Sequence, residues 1–133
     1  SSSMPQGLPL ALLLTFLTYA AIATVQQTAA FYIQDFTGTG AAAAARLSGF
    51  AFVALAATML VMQGGVVQVC KPSPGVMISA GLPCAAAGLG LYIAAPAYGW
   101  IIAAFAVMGA GFGLVQPGIA ALVSLGTGAD TQG

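Results

Sequence analysis

LPLALLLTFLTYAAIATVQQTAAFYIQ, residues 8–34, runs from Leu8 to Gln34 without one charged side chain. At about 1.5 Å per residue such a helix reaches about 40 Å, enough to cross a bilayer's hydrocarbon and enter both headgroup zones. Three further apolar stretches follow: Ala42 to Val69, Gly75 to Ala95, and Tyr98 to Leu125. Helix breakers separate them. Asp35-Phe36-Thr37-Gly38-Thr39-Gly40 ends the first stretch, Lys71, Pro72 and Pro74 the second, Pro96 the third, and Gly126, Gly128 and Asp130 the fourth. Pro9 falls where a first-turn proline is tolerated.

Composition leaves little else open. Hydrophobic residues make up 60% and charged residues 3% of the chain, and the mean hydropathy is +1.03. Two basic and two acidic residues cannot clothe a soluble domain, so most of the surface must face lipid. The reading is an all-α membrane protein, residues 1–133 forming a single bundle of four transmembrane helices. Unbroken apolar runs exclude the alternation that a β-barrel needs. Short connections imply that helices adjacent in sequence pack as antiparallel neighbours.

The aromatic residues Phe31, Tyr32, Phe36, Tyr92, Tyr98 and Trp100 fall at one membrane face on an up-down-up-down path, as an interfacial belt predicts. Charge does not fix the orientation, since Lys71 lies on one face and Arg46 on the other. No basic residue precedes the first apolar run, which argues against a cleaved signal peptide. Arg46 follows closely after Asp35, and an ion pair between them is expected to anchor the first loop.

Small residues mark the helix contacts, because association in lipid depends on close backbone approach and polar bonds. Gly109 and Gly113 form a GxxxG pair, and a looser stripe runs through Gly81, Ala85 and Gly88. Pro83 and Pro117 lie inside spans and strand the carbonyls of Ser79 and Gly113.

Several chemistries are excluded. The chain has no histidine and no glutamate, no acid or lysine deep in a span, and no glycine-rich turn followed by lysine. Metal sites, catalytic triads and nucleotide cradles therefore lack their parts. Neither an enzyme nor a cofactor is expected, and two basic residues make no nucleic-acid surface. Cys70 at a helix end and Cys84 near mid-membrane differ in depth, so no disulfide is expected.

Neutral polar groups remain. At about 100° per residue, Thr15, Tyr19 and Gln26 fall within about 40° of each other on the first span. Thr18 lies at the edge of that face, and Gln27 and Gln34 occupy an adjacent one. Gln116 stands just past the middle of the fourth span, directly before Pro117; the second span offers Ser48, Thr58 and Gln63. A glutamine amide in hydrocarbon must face protein or water. One reading has Gln26 and Gln116, with Thr15 and Tyr19, lining a cavity that binds a small-molecule solute. The other makes them interhelical glue, worth about 0.6 kcal/mol per contact. For Gln116 a local partner also exists in the carbonyl stranded by Pro117.

Two segments go beyond composition. TAAFYIQDFTGTG (28–40) with AARLSG (44–49), and GAGFGLVQPGIAALVSL (109–125) with DTQG (130–133), together resemble the seventh, eighth and tenth transmembrane helices of a drug-efflux-like major facilitator superfamily transporter. FYIQD resembles the outer end of the seventh helix and GFGLVQPG the tenth. The resemblance implies helices seven to ten of a twelve-helix transporter fold, a C-terminal-half fragment whose remaining helices lie elsewhere in the full-length protein. It implies that the first and fourth spans face a central cavity, that the Lys71 loop is cytoplasmic, and that the protein is a multi-pass component of the cell's inner or plasma membrane. Its function would be alternating-access transport of a small, apolar or amphipathic solute.

The chain departs from the pattern in having one basic residue near Lys71 and no membrane-embedded acid, so proton coupling would have to reside in other helices. Two alternatives stand beside it. One is a small dimeric multidrug exporter, against which the missing glutamate counts. The other is a four-helix protein with a structural or assembly role.

Overall fold

The structure is a computed structural model that describes residues 7–132, with side chains as far as Ser124. Its first helix, α1, spans Leu8–Thr37. It ends where Gly38 takes a left-handed conformation (φ 70°) and donates its N–H to the Gln34 carbonyl at 2.9 Å, a geometry that only glycine adopts without cost. Asp35 and Phe36, expected in the loop, are therefore helical.

The second helix, α2, spans Ala41–Cys70. It is α-helical to Val61, passes through a π-helical segment at Met62–Val66, and regains α geometry for its last turn. Lys71 closes it with a positive φ of 47°. Helix α3 spans Pro74–Ala94, with Pro74 in its first turn and the Ser73 hydroxyl accepting from the Val76 N–H at 3.3 Å. Ala95 leaves the helix at φ −59°, ψ 126°, the extended conformation that a following proline imposes. The last helix, α4, begins at Tyr98 and continues to Gln132. All four are long and apolar enough to cross a membrane, which marks a multi-pass membrane protein of all-α architecture.

Helix α4 is the pillar. Half of its most apolar stretch is buried against protein, compared with 6% for α2 and 17% for α1. It packs along α3 on one side and α2 on the other, and α1 leans on α2 and α4. The expectation that sequence neighbours pack together therefore fails for α2 and α3, which share no extended interface although three residues join them. Glycines on α4 explain why. Gly109 seats α2, for a Cβ there would overlap the Leu55 carbonyl and the Thr58 hydroxyl. Gly111 points the other way, and a Cβ there would overlap the Ala85 backbone of α3. Backbone surfaces on two sides of α4 thus hold α2 and α3 apart.

The core follows this pillar, with Ile33 of α1 and Ile101, Phe105, Met108 and Val115 of α4 fully buried. Phe105 meets Phe52 of α2 and Tyr92 of α3 edge-on, at centroid distances of 5.2 and 5.0 Å. Two members of the expected interfacial belt are thereby reassigned. Phe31 and Trp100 are exposed, but Tyr92 is buried and Tyr32 is packed against it at 4.7 Å. The Tyr32 hydroxyl instead reaches the carbonyls of Tyr92 and Ile93, and that of Tyr98 donates to the Leu47 carbonyl at 2.6 Å. These tyrosines tie helix ends together. The expected Asp35–Arg46 pair does not form; both side chains are exposed, and no ion pair occurs among the described residues. The turn after α1 is closed by Gly38 and by a 2.8 Å contact between the Thr37 and Thr39 hydroxyls.

Two stability predictions follow from this packing. Gly109→Ala should destabilise the bundle by about 1–3 kcal/mol, whereas Gly90→Ala, whose Cβ would meet nothing within 4 Å, should be neutral or slightly stabilising in thermal unfolding in detergent. The Tyr92 hydroxyl is buried without a partner. Tyr92→Phe should therefore raise stability by about 1 kcal/mol, since an unmet buried hydroxyl carries its desolvation cost without return; a lower midpoint would show that the hydroxyl has a partner after all.

Candidate functional site

In the half of the bundle remote from the aromatic cluster, α1 and α4 together line a cavity of about 530 Å³. From α1 it takes Thr15, Thr18 and Tyr19; from α4 it takes Gln116, Ile119, Ala120, Val123 and Ser124. Its volume falls within the range of about 300–1,000 Å³ usual for small-molecule sites. Three of the four residues expected to bind solute, Thr15, Tyr19 and Gln116, are thus brought together. The fourth is not. Gln26 lies two turns beyond Tyr19, about 10 Å along α1, and is exposed outside the cavity.

Each polar side chain has a definable role. The Thr15 hydroxyl donates to the Ala11 carbonyl at 2.8 Å, which leaves its oxygen as an acceptor for anything in the cavity. Thr18 is buried and also borders an apolar groove between α1 and α3 that Leu14, Leu17, Leu82 and Phe112 line. Tyr19 is more than half exposed and stands at the cavity's open side. Among the described residues, no side chain lining the cavity is charged.

Gln116 is fixed from behind. Gln63 of α2 donates its Nε2 to Gln116 Oε1 at 3.4 Å, the long end of a hydrogen bond. Among the described residues no bond joins the Gln116 amide to the Gly113 carbonyl, the local partner that the sequence suggested. Gln63 falls in the π-helical segment, where the ladder takes in one extra residue and side chains are re-aimed. Sequence reasoning found Gln63 as a polar residue but not its link to Gln116. The available signal was Gly64-Gly65 directly after it, two residues with little commitment to α-helical geometry.

Other candidates fall away from the cavity. Cys84 donates its thiol to the Val107 carbonyl at 3.4 Å, a contact between α3 and α4, and Cys70 is exposed; both are free thiols. Among the described residues, no three His, Cys, Asp or Glu side chains gather as metal ligands. The arrangement can hold a small neutral molecule through hydroxyl and amide groups beside apolar walls. Compared with known protein families, characterised proteins and solved structures, the chain matches none.

Water in the cavity can be tested by thiol chemistry. In a background with both native cysteines replaced, Thr15→Cys and Ser124→Cys should react with a hydrophilic maleimide, because thiolate forms only where water reaches. Leu60→Cys, at an outward position of α2 where the native leucine is 69% exposed, should stay unlabelled in the bilayer. Equal protection at all three positions would mean that the cavity is dry.

Proposed function

We propose that this chain is part of a secondary transporter of the major facilitator superfamily, drug-efflux-like in type, that moves a small solute by alternating access. The observation that carries the reading is the cavity between α1 and α4, lined by Thr15, Tyr19 and Gln116. These are the two helices that the sequence resemblance assigns to a transport pathway. Further support comes from Gln26 and Gln27, exposed near the middle of α1. Amide groups there cannot rest against hydrocarbon, where each unsatisfied group costs several kcal/mol, so this face of α1 would border water or further helices of the same transporter. In this reading the Lys71 end is cytoplasmic and the protein sits in the inner or plasma membrane.

The wall chemistry suits a neutral, amphipathic solute. With no charge among the described lining residues, an ion beside them would lose hydration with nothing there to replace it. Coupling to a proton would require a titrating group on helices beyond these four.

One observation favours a second reading, a structural bundle whose polar residues join helices: the Gln63–Gln116 bond is itself an interhelical contact. Gln116→Ala in the protein as its own cell expresses it separates the two. If Gln116 binds solute, uptake of neutral amphipathic dyes into membrane vesicles should fall on the order of tenfold, a loss of about 1.4 kcal/mol of binding, with the thermal midpoint nearly unchanged. Unaltered uptake with a lowered midpoint would make the residue a clasp only.

A further inference from the structure

The Gln63–Gln116 bond has a direction, and that direction determines what the cavity offers a solute. Gln63 itself does not line the cavity. Its Nε2 donates and Gln116 Oε1 accepts, which occupies the acceptor end of the Gln116 amide. The Gln116 Nε2 has no partner among the described residues. Nor is it sealed away, since among the described residues the buried side-chain polar atom left without a partner is the Tyr92 hydroxyl. An amide nitrogen that is unpaired, accessible and borne by a cavity-lining residue is a donor presented to the cavity.

The backbone holds this geometry in place. Gly113 allows α2 to approach until a Cβ there would stand 3.0 Å from Met62 Cβ and 3.1 Å from the Met59 carbonyl. Met62 is the residue before Gln63, so the close approach and the amide bond occur at one level of the interface. The π-helical turn begins at the same residue. Across the cavity, the Thr15 hydroxyl donates its hydrogen bond to the Ala11 carbonyl, so its oxygen faces the cavity as an acceptor.

We infer that Gln63 is a positioning residue that holds the Gln116 amide with its N–H groups toward the cavity, so that the site selects neutral amphipathic solutes carrying a hydrogen-bond acceptor. The inference rests on the cavity being a solute site, as proposed above. Removing Gln63 frees the Gln116 amide to rotate, and its oxygen then competes with its nitrogen for the cavity side.

The test uses the natural full-length protein in lipid nanodiscs and two fluorescent probes, N,N-dimethyl-2-naphthamide and 2-isopropylnaphthalene. The first carries an acceptor and no donor; the second carries neither. Affinities are corrected for partition into empty nanodiscs. The wild-type protein should prefer the amide by about tenfold, the scale of one good hydrogen bond. Gln63→Met, which keeps the side-chain length, should lose most of that preference while still binding the hydrocarbon probe. Retention of the full preference in Gln63→Met overturns the positioning role and leaves the solute site standing. Failure of the wild-type protein to bind either probe overturns the site and the inference with it. If Gln63→Met does not fold, the side-chain amide resonances of Gln116 in the wild-type protein decide: they should shift on adding the naphthamide and not on adding the hydrocarbon, and an unmoved amide overturns the inference.

Discussion

The close backbone approach of α4 to its two neighbours is the constraint on which the rest of this bundle depends. Lipid chains are as apolar as leucine, so burying leucine between helices gains little there, and packing and polar contacts must do what the hydrophobic effect does in water. Gly109 and Gly113 bring α4 against α2, and Gly111 brings it against α3. The α3 side is completed by its own glycines: a Cβ on Gly81 would lie 2.8 Å from the Gly111 carbonyl, and one on Gly88 would lie 2.7 Å from the Met108 nitrogen. Glycine costs backbone entropy in a helix, a cost recovered here through dispersion contacts that no larger residue would permit.

That approach also decides where polar groups can meet. The α2–α4 contact at Gly113 continues directly into the π-helical turn and the Gln63–Gln116 bond. Two amides that would each be expensive in hydrocarbon are thereby placed together, one turned inward as support and the other at the cavity wall. Pro117 follows immediately, inside α4, so the residue lining the cavity sits beside a backbone position that cannot donate to the helical ladder. The π-helical segment thus carries one of the two bonded glutamines, and the proline directly follows the other.

The opposite half of the bundle is organised differently. Phe52, Phe105, Tyr92 and Tyr32 form a continuous aromatic core, and tyrosine hydroxyls bind backbone carbonyls near helix ends. Such a cluster is dense and bonded between helices, whereas the α1–α4 cleft is open. One end is therefore built for cohesion and the other leaves room.

How much was legible in the sequence depends on the kind of information each feature needs. The four spans and their breaks could be read directly, because bilayer thickness fixes helix length and because Gly38, Pro74 and Pro96 act on their own backbone. Gly109 and Gly113 were legible as contact residues, and Thr15 and Tyr19 as one face of α1, since helical spacing is local. Which helix meets which was not. These helices are apolar all round, so none carries a hydrophobic stripe to point at the core. Tyr92 reads equally well as an interfacial or a buried residue, and Gln26 as facing a cavity or facing outward. Only the tertiary structure placed α4 between α2 and α3, turned Tyr92 inward, left Gln26 exposed, and brought Gln63 to Gln116. The sequence by itself determined that this chain is helical and membrane-spanning, through length and hydropathy; packing between backbones, which no single helix encodes, decided the cavity and the residues around it.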